Sequence, residues 1–328
     1  MDSNDVFTSG RGYVTRSEFL DQGYDDRDIR TAVRQGLIRR RRRGIYVYAA
    51  EHDHLTDGQK HVIDIRSVAD KLGPAVAISH QSACAVHGIA TYGAPLDVIH
   101  VTRLDGSSGR NEHGLAHHVG TVLEDDDLME VDGMLVVTPA RAMLEVAMTS
   151  SIESAVVTLD SGLHLALTDL DGLASMSSRF ASWQGARRGR YALTLADGRS
   201  ESPGESRSRV LFRRENLPVP DLQVGFRNES GQLVGRVDFA WLEYCHVGEF
   251  DGMIKFGGIA DDRRTPQQIA YAEKRREDEI RRLQVGMSRW GWHDLSGAAG
   301  KRTAARIRAD LEQSRRLYGR GQTTIPAS

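Results

Sequence analysis

The pattern of apolar and polar residues near the start of the chain predicts two short helices followed by two strands. Thr15 and Glu18 have the spacing of a capping box, in which the hydroxyl and the carboxylate each satisfy a free backbone N–H at the start of a helix. A helix through Phe19 and Leu20 is then expected to end at Gly23, because glycine readily terminates helices.

The second predicted helix begins at Asp25 or Asp26, where a carboxylate accepts backbone N–H bonds and faces the positive end of the helix. Its apolar residues are spaced to be buried together, and they are Ile29, Ala32 and Val33. The opposite face follows an i, i+3, i+4, i+7 pattern, with Arg27, Arg30, Thr31 and Arg34. The pattern therefore predicts one packed face and one basic face.

A run of five arginines follows this helix. Leu37-Ile38 before the run and Ile45-Tyr46 after it predict two short strands joined by an arginine-rich turn. The order helix, turn, helix, wing is typical of motifs that place the second helix in the DNA major groove and the wing on phosphates or in the minor groove. The predicted contacts to double-stranded DNA are Arg27, Arg30, Thr31, Arg34, Arg39, Arg40, Arg41, Arg42 and Arg43. A solvated helix with a charged loop, and a winged helix that contacts protein, are the alternatives.

Residues 51–183 are predicted to form an α+β domain. A helical spacing of apolar residues runs through 51–75, strands are expected near 96–102, 115–119 and 135–137, and helices near 139–148, 152–167 and 169–182. The four carboxylates from Glu124 to Asp127 predict a solvated turn rather than a cation site, because no glycine-spaced ligand loop surrounds them. His80 and His87 are two helical turns apart without a third ligand at matching spacing, which favours packing over a metal site.

Four short motifs carry a family resemblance over roughly the first 180 residues. They are Gly12-Tyr13-Val14-Thr15-Arg16, Arg43-Gly44-Ile45-Tyr46, Ile78-Ser79-His80-Gln81-Ser82-Ala83 and Val136-Val137-Thr138-Pro139-Ala140-Arg141. In this order they resemble the AbiEi-type antitoxins of type IV toxin–antitoxin systems. The resemblance implies an N-terminal winged helix that represses its own operon. It also implies a second domain that counters a nucleotidyltransferase toxin encoded beside it.

The last part of the chain predicts a linker and a further domain. Residues 184–201 are rich in glycine, arginine and serine, which is typical of linkers. Residues 202–318 predict an α/β domain with a helix from Ser202, three strands, a helix near 266–283, a strand at 290–293 and a helix near 298–318. Residues 319–328 are expected to form a disordered tail.

Three carboxylates of this last domain are predicted to converge on its sheet. Glu249 and Asp251 are two residues apart and share one face of a strand, and a turn at Glu243-Tyr244 would place Asp238 opposite Glu249. Like charges at these positions repel unless a cation binds between them, and such oxygen ligands suit Mg²⁺ or Mn²⁺. With Lys255 nearby to stabilise developing charge, the group predicts phosphodiester hydrolysis. An ordinary hairpin with exposed acids is the alternative.

The same segment resembles the PD-(D/E)XK nuclease superfamily, and within it the very-short-patch-repair type of endonuclease. The resemblance is carried by Glu205, Asp238, Glu249-Phe250-Asp251-Gly252 and Lys255. It implies a restriction-endonuclease-like α/β fold, with these carboxylates and Lys255 in catalysis. Asp251 stands where that superfamily has lysine, so the sequence leaves open whether the domain is an active DNA endonuclease or a retained fold.

Composition and charge extend this interpretation. The chain has 328 residues and 40% hydrophobic residues, enough for two or three domains, and it contains no apolar run of the roughly 20 residues that span a bilayer. We therefore expect a cytoplasmic protein without membrane contact, and its two cysteines, Cys84 and Cys245, are expected to be buried thiols. No pattern in the sequence specifies an oligomeric state.

The net charge of −2 conceals an uneven distribution. Residues 1–50 have 10 Lys+Arg and 7 Asp+Glu, residues 51–200 have 11 and 20, and residues 201–328 have 22 and 18. Both ends are expected to contact polyanions, while the acidic middle is suited to a basic protein partner. The sequence thus predicts an α+β multidomain, antitoxin-like regulator that binds DNA, with an active Mg²⁺-dependent endonuclease and a non-catalytic toxin-binding module as alternatives.

Overall fold

The chain divides into two compact units, one of residues 1–158 with 167–190 and the other of residues 159–166 with 191–328. A computed structural model describes residues 10–106, 109–112, 114–120, 123–227, 230–252 and 282–319. No helix in these ranges is long and apolar enough to cross a bilayer. Both cysteines are free thiols. Cys84 is buried as expected, but Cys245 lies in a turn and is partly exposed, so the expectation of burial is wrong there.

The first unit begins with the predicted helices and strands. Its elements are β1 (Val14–Thr15), α1 (Arg16–Asp21), α2 (Asp26–Arg34), β2 (Ile38–Arg42) and β3 (Ile45–Tyr48). The strands form an antiparallel sheet in the order β1-β3-β2. The capping box of Thr15 and Glu18 is confirmed, and Asp25 caps α2 through the N–H groups of Arg27 and Asp28.

The core of this sheet and helix pair confirms most of the predicted packing. It contains Val14, Phe19, Ile29, Ala32, Ile38 and Tyr48. The prediction for Val33 is wrong, because this residue is 38% exposed and lies at the margin of the face shared by Ile29 and Ala32. The arginine run also differs from the predicted turn. Four of its five residues, Arg39 to Arg42, belong to strand β2, in which all but Arg41 pair with β3, and Arg43-Gly44 forms the turn.

The middle of the chain forms a six-stranded mixed sheet with the strand order β6-β7-β5-β4-β9-β8. Its strands are β4 (Val76–Ile78), β5 (Ile99–Arg103), β6 (Arg110–Glu112), β7 (Leu115–Val119), β8 (Leu128–Val131) and β9 (Met134–Val137). Its helices are α3 (Ala49–His52), α4 (Asp57–Leu72), α5 (His80–Val86), α6 (Pro139–Thr149), α7 (Ile152–His164) and α8 (Leu170–Arg179). Helix α9 (Ala186–Leu193) lies within the segment predicted as a linker.

One carboxylate of the predicted solvated turn is buried. Glu124, Asp125 and Asp126 are exposed, but Asp127 is inaccessible and forms ion pairs with Arg141 at 2.7 Å and Arg179 at 2.8 Å. Arg141 and Arg179 belong to helices that follow the turn in the sequence. The acidic run alone therefore could not predict that they would pair with Asp127. The prediction of full solvation is therefore wrong at Asp127.

The second unit contains a four-stranded sheet, with one helix before its strands in the sequence and one helix after them. Its elements are α10 (Pro203–Arg214), β10 (Asp221–Arg227), β11 (Leu233–Trp241), β12 (His246–Asp251), β13 (Gly286–Gly291) and α11 (Gly297–Tyr318). The strand order is β10-β11-β12-β13, with the first three antiparallel and β13 parallel to β12.

The core of the second unit is built on aromatic residues. Phe212, Phe239 and Trp241 pack with Trp290, whose indole N–H donates to the Ser208 hydroxyl at 2.7 Å. The strand predicted at 290–293 ends at Gly291, and the following residues form a 3-10 turn. Lys255, nearly all of the helix predicted at 266–283 and residues 320–328 of the predicted tail lie outside the described residues.

Candidate functional site

The outer face of α2 presents unpaired positive charge. Arg27, Arg30 and Arg34 are exposed, and Thr31 is half-buried. They lie on the side of the helix opposite Ile29 and Ala32, which pack into the core. The three guanidinium groups form no hydrogen bond or ion pair with any residue in the described ranges. This face is therefore available to an anionic ligand.

Three of the five arginines after α2 contact the protein itself. Arg39 pairs with Asp53 at 2.6 Å, Arg41 pairs with Asp64, and Arg42 Nη2 donates to the carbonyl oxygen of Gly114 at 3.2 Å. Burial also lowers the pKa of the Arg42 guanidinium. Predicting all five as DNA contacts overlooked these partners, since two of them lie at least 20 residues away in sequence.

The remaining two arginines of the run join the basic face of α2. Arg43 is exposed, and Arg40 donates to the Arg42 carbonyl oxygen of its own strand at 3.4 Å. A cleft of about 690 Å³ is lined by Arg30 from the helix together with Arg40 and Arg43 from the wing. Lys71 of α4 lines the same cleft. The helix and the wing thus form one continuous cationic surface.

In the second unit, Asp238 and Glu249 occupy facing positions on neighbouring strands. Phe239 pairs with Gly248, and the same register carries Asp238 to the position opposite Glu249. Asp238 Oδ2 accepts the backbone N–H of Phe250 at 2.8 Å. Cys245 has a left-handed φ of 48° and completes the turn between the two strands.

Each of the buried acids in this region has a partner within the protein. Glu249 is 8% exposed and pairs at 2.7 Å with Arg289, which is its register neighbour on β13. Glu205 is 7% exposed, and its Oε2 accepts the side-chain amide of Gln223 at 2.7 Å. Asp251 is exposed at the end of β12.

Two of the three carboxylates predicted to hold a divalent ion thus face each other, and Lys255, predicted beside them, lies outside the described residues. Oxygen ligands suit Mg²⁺ or Mn²⁺ in chemical type. Within the described residues, however, the carboxylate oxygens of Asp238, Glu249 and Asp251 do not all lie within 4.8 Å of one another. Arg289 compensates the charge of Glu249 in this arrangement, and the divalent-ion site stays a prediction.

Gln223 is a feature of this site that sequence reasoning missed. It lies on β10 between Leu222 and Val224, which pair with Phe239 and Val237 of β11, and its side-chain amide donates to Glu205. Its φ is 54°, a left-handed value that non-glycine residues seldom adopt in a strand. A glutamine in an apolar strand gives no local sign of such a conformation.

Three histidines that are distant in sequence also come together, in the first unit. His80 lies at the start of α5, His100 on β5 and His118 on β7, with their donor atoms within 4.8 Å of one another. His87, which the sequence paired with His80, contacts the carbonyl oxygen of Val137 at 2.8 Å instead. The helical spacing considered for His80 could not reveal partners on two strands.

Comparison with known proteins supports an antitoxin-like, DNA-binding role for the N-terminal residues. Residues 3–49 match the family described as "Transcriptional regulator, AbiEi antitoxin". Two uncharacterized proteins of Mycobacterium tuberculosis, from strains CDC 1551 / Oshkosh and ATCC 25618 / H37Rv, are each 30% identical over 186 residues. That match covers 56% of this chain and 66% of each relative. The family match includes α1, α2 and both strands of the wing.

Proposed function

We propose that this chain is an antitoxin-type transcriptional regulator that binds DNA upstream of its own gene. The basic face of α2 contacts base pairs, and Arg40 and Arg43 contact phosphates. The observation that carries the proposal is the set of three exposed arginines, Arg27, Arg30 and Arg34, for which no hydrogen bond or ion pair is found among the described residues. The family match over residues 3–49 supports the same role.

A gel-shift titration at fixed salt with the chain's own upstream DNA tests this assignment. Arg30→Ala combined with Arg34→Ala should weaken binding by at least tenfold, because an arginine that contacts a base contributes about 1–3 kcal/mol. Arg187→Ala combined with Arg190→Ala removes the same charge from two exposed positions outside α2 and should leave the affinity unchanged. Equal losses for the two pairs would show that net charge, rather than this face, controls binding.

The acidic middle of the chain is proposed to bind a basic protein partner, a nucleotidyltransferase-type toxin encoded beside this gene. Residues 51–200 have 20 Asp+Glu and 11 Lys+Arg, a balance that complements a basic surface. Expression of the neighbouring gene product with and without this chain tests the proposal. Growth arrest that this chain relieves would support it, and growth unaffected by either protein would refute it.

Metal-dependent phosphodiester hydrolysis is a second candidate function for the second unit. It is supported by the order of a helix, three antiparallel strands and a fourth strand parallel to the third. The facing positions of Asp238 and Glu249 also favour it. Incubation of the full chain with supercoiled and linear DNA, with Mg²⁺ or Mn²⁺, tests the activity. Cleavage that EDTA and Asp238→Ala abolish would support it, and intact DNA would leave the regulator as the function of the chain.

A further inference from the structure

His80, His100 and His118 are positioned by three separate elements of the six-stranded sheet and its helices. His118 pairs in register with Thr102, two residues beyond His100, so both histidines lie on the same face of the sheet. His80 follows strand β4, which neighbours β5, and opens α5. The fold therefore brings one imidazole from each element to a common point.

From this geometry we infer that His80, His100 and His118 form a binding site for one Zn²⁺ ion. Their donor nitrogens lie within 4.8 Å of one another. Zinc binds imidazole nitrogen at about 2.0–2.1 Å in tetrahedral geometry, which sets the nitrogens about 3.3 Å apart. Binding therefore requires the three side chains to bring their donor nitrogens closer together.

The donor nitrogens of His100 and His118 lie slightly closer together than a bound ion would set them. His100 Nδ1 and His118 Nε2 are 2.9 Å apart, which requires one shared proton between two ring nitrogens. An ion that displaces this proton would bind the same two lone pairs. The His80 ring stacks on His118 with centroids 3.7 Å apart, so we expect it to turn about χ2 to direct its nitrogen at the ion.

The buried carboxylate of Glu145 contacts His80. Glu145 Oε2 lies 3.3 Å from His80 Nδ1 and accepts the His80 backbone N–H at 3.0 Å. A metal-bound histidine characteristically donates its other ring N–H to a carboxylate, which orients the ring and raises its basicity. Arg141 holds Glu145 in place through Nε at 2.9 Å. With Nδ1 directed at Glu145, Nε2 of His80 remains as the ligand atom.

Two of the three histidines are partly accessible. His100 and His118 are half-buried, whereas His80 is buried. Solvent therefore reaches two of the three proposed ligand residues.

His80 also has an unusual backbone conformation. Its φ is 50°, a left-handed value that costs a non-glycine residue free energy. Such strain is concentrated at sites where a side chain is held in a required position. The strained histidine is the one whose ring lies between Glu145 and the other two imidazoles.

Titration of the metal-free chain with Zn²⁺ and Co²⁺ tests the proposal. We expect one ion per chain at this site, a tetrahedral Co²⁺ absorption spectrum, and a melting temperature raised by Zn²⁺. His100→Gln and His118→Gln should each lower the affinity at least tenfold. His54→Gln, which removes an exposed histidine outside the group, serves as the matched control and should bind as the unmodified chain does.

X-ray absorption of the zinc-loaded chain tests the identity of the ligands. It uses the unmodified chain and therefore does not depend on whether the histidine variants fold. Three imidazole nitrogens at about 2.0 Å, without sulfur, are expected. A zinc–sulfur distance would assign the ion to a cysteine and overturn the proposal. Absence of stoichiometric binding, or binding that is unchanged in both His100→Gln and His118→Gln, would overturn it as well.

Discussion

The guanidinium of Arg41 forms a two-point ion pair with the carboxylate of Asp64 in helix α4. Nε donates to Oδ1 at 3.1 Å, and Nη2 donates to Oδ2. The planar guanidinium presents two N–H groups in the geometry that a carboxylate accepts. Asp64 is only 7% exposed, so an arginine from the wing neutralises a largely buried charge. The arginine run thus holds strand β2 to the domain that follows it.

Replacement of Arg41 should reduce stability more than DNA binding. Arg41→Ala leaves the Asp64 carboxylate buried without its cation, which should cost about 1–3 kcal/mol of unfolding free energy. Urea denaturation measures this loss. Arg43→Ala, at an exposed position of the same run, should change stability by less than about 0.5 kcal/mol. Equal stability of the two variants would contradict a structural role for Arg41.

Replacement of both Arg40 and Arg43 should weaken binding to every DNA sequence alike. Phosphate contacts carry no sequence information, and each one contributes about 0.9 to the slope of log affinity against log salt. The double variant should therefore bind operator and unrelated DNA with similar losses and a slope smaller by up to about 2. Gel-shift titrations at several salt concentrations measure both quantities. A loss restricted to the operator would assign these arginines to bases instead.

Removal of the Arg141 charge should strongly destabilise the first unit. Arg141 is inaccessible and pairs with both Asp127 and Glu145, while its guanidinium lies 5.0 Å from the Phe180 ring centre. Arg141→Met leaves two buried carboxylates without this cation, which should cost about 3–5 kcal/mol. Chemical denaturation measures the change. Asp126→Asn alters a neighbouring exposed charge and should be nearly neutral, and a similar small effect of Arg141→Met would contradict the prediction.

His246 should make the second unit less stable in mild acid. Its ring nitrogens contact the hydroxyls of Ser314 at 2.8 Å and Ser288 at 2.9 Å, and burial lowers its pKa to about 4. Between pH 6.5 and 4 the unfolded chain binds a proton on His246 that the folded chain does not. Unfolding free energy therefore falls as pH falls, by at most about 1.4 kcal/mol per pH unit from this group.

Thermal melting between pH 7 and 4.5 tests this contribution by comparison of variants. His246→Gln keeps a group that can bond to the hydroxyls but does not titrate, so its melting temperature should fall less steeply with acid. His293→Gln removes an exposed histidine and should follow the unmodified chain. Parallel curves for all three proteins would exclude His246 as a source of acid sensitivity.

Periodicity along the chain predicted those features that depend on neighbouring residues. The faces of α2 followed from a rotation of 100° per residue, which is the same wherever the helix lies. The short strands β4, β6 and β8 were missed, because three or four residues carry little pattern and their pairing comes from distant segments.

The remaining differences between prediction and structure at these sites come from contacts between residues that are distant in the sequence. The partner of Arg41 lies 23 residues away, and that of Glu249 lies 40 residues away on β13. Nothing in the local sequence of either residue indicates which charge will face it. The three histidines at 80, 100 and 118 likewise meet only through the order of strands in the sheet.

The placement of the arginine run in β2 has a consequence for association between chains. β2 is an edge strand, since the described sheet order is β1-β3-β2, and an open edge offers backbone N–H and C=O groups to any other strand. Arg39 to Arg42 occupy almost its whole length. Arg39 and Arg41 are neutralised by Asp53 and Asp64, so the charge that a second copy would meet edge to edge is mainly that of Arg40. Charged residues on an edge strand disfavour pairing with a second strand, so we expect this edge to resist association between copies of the chain.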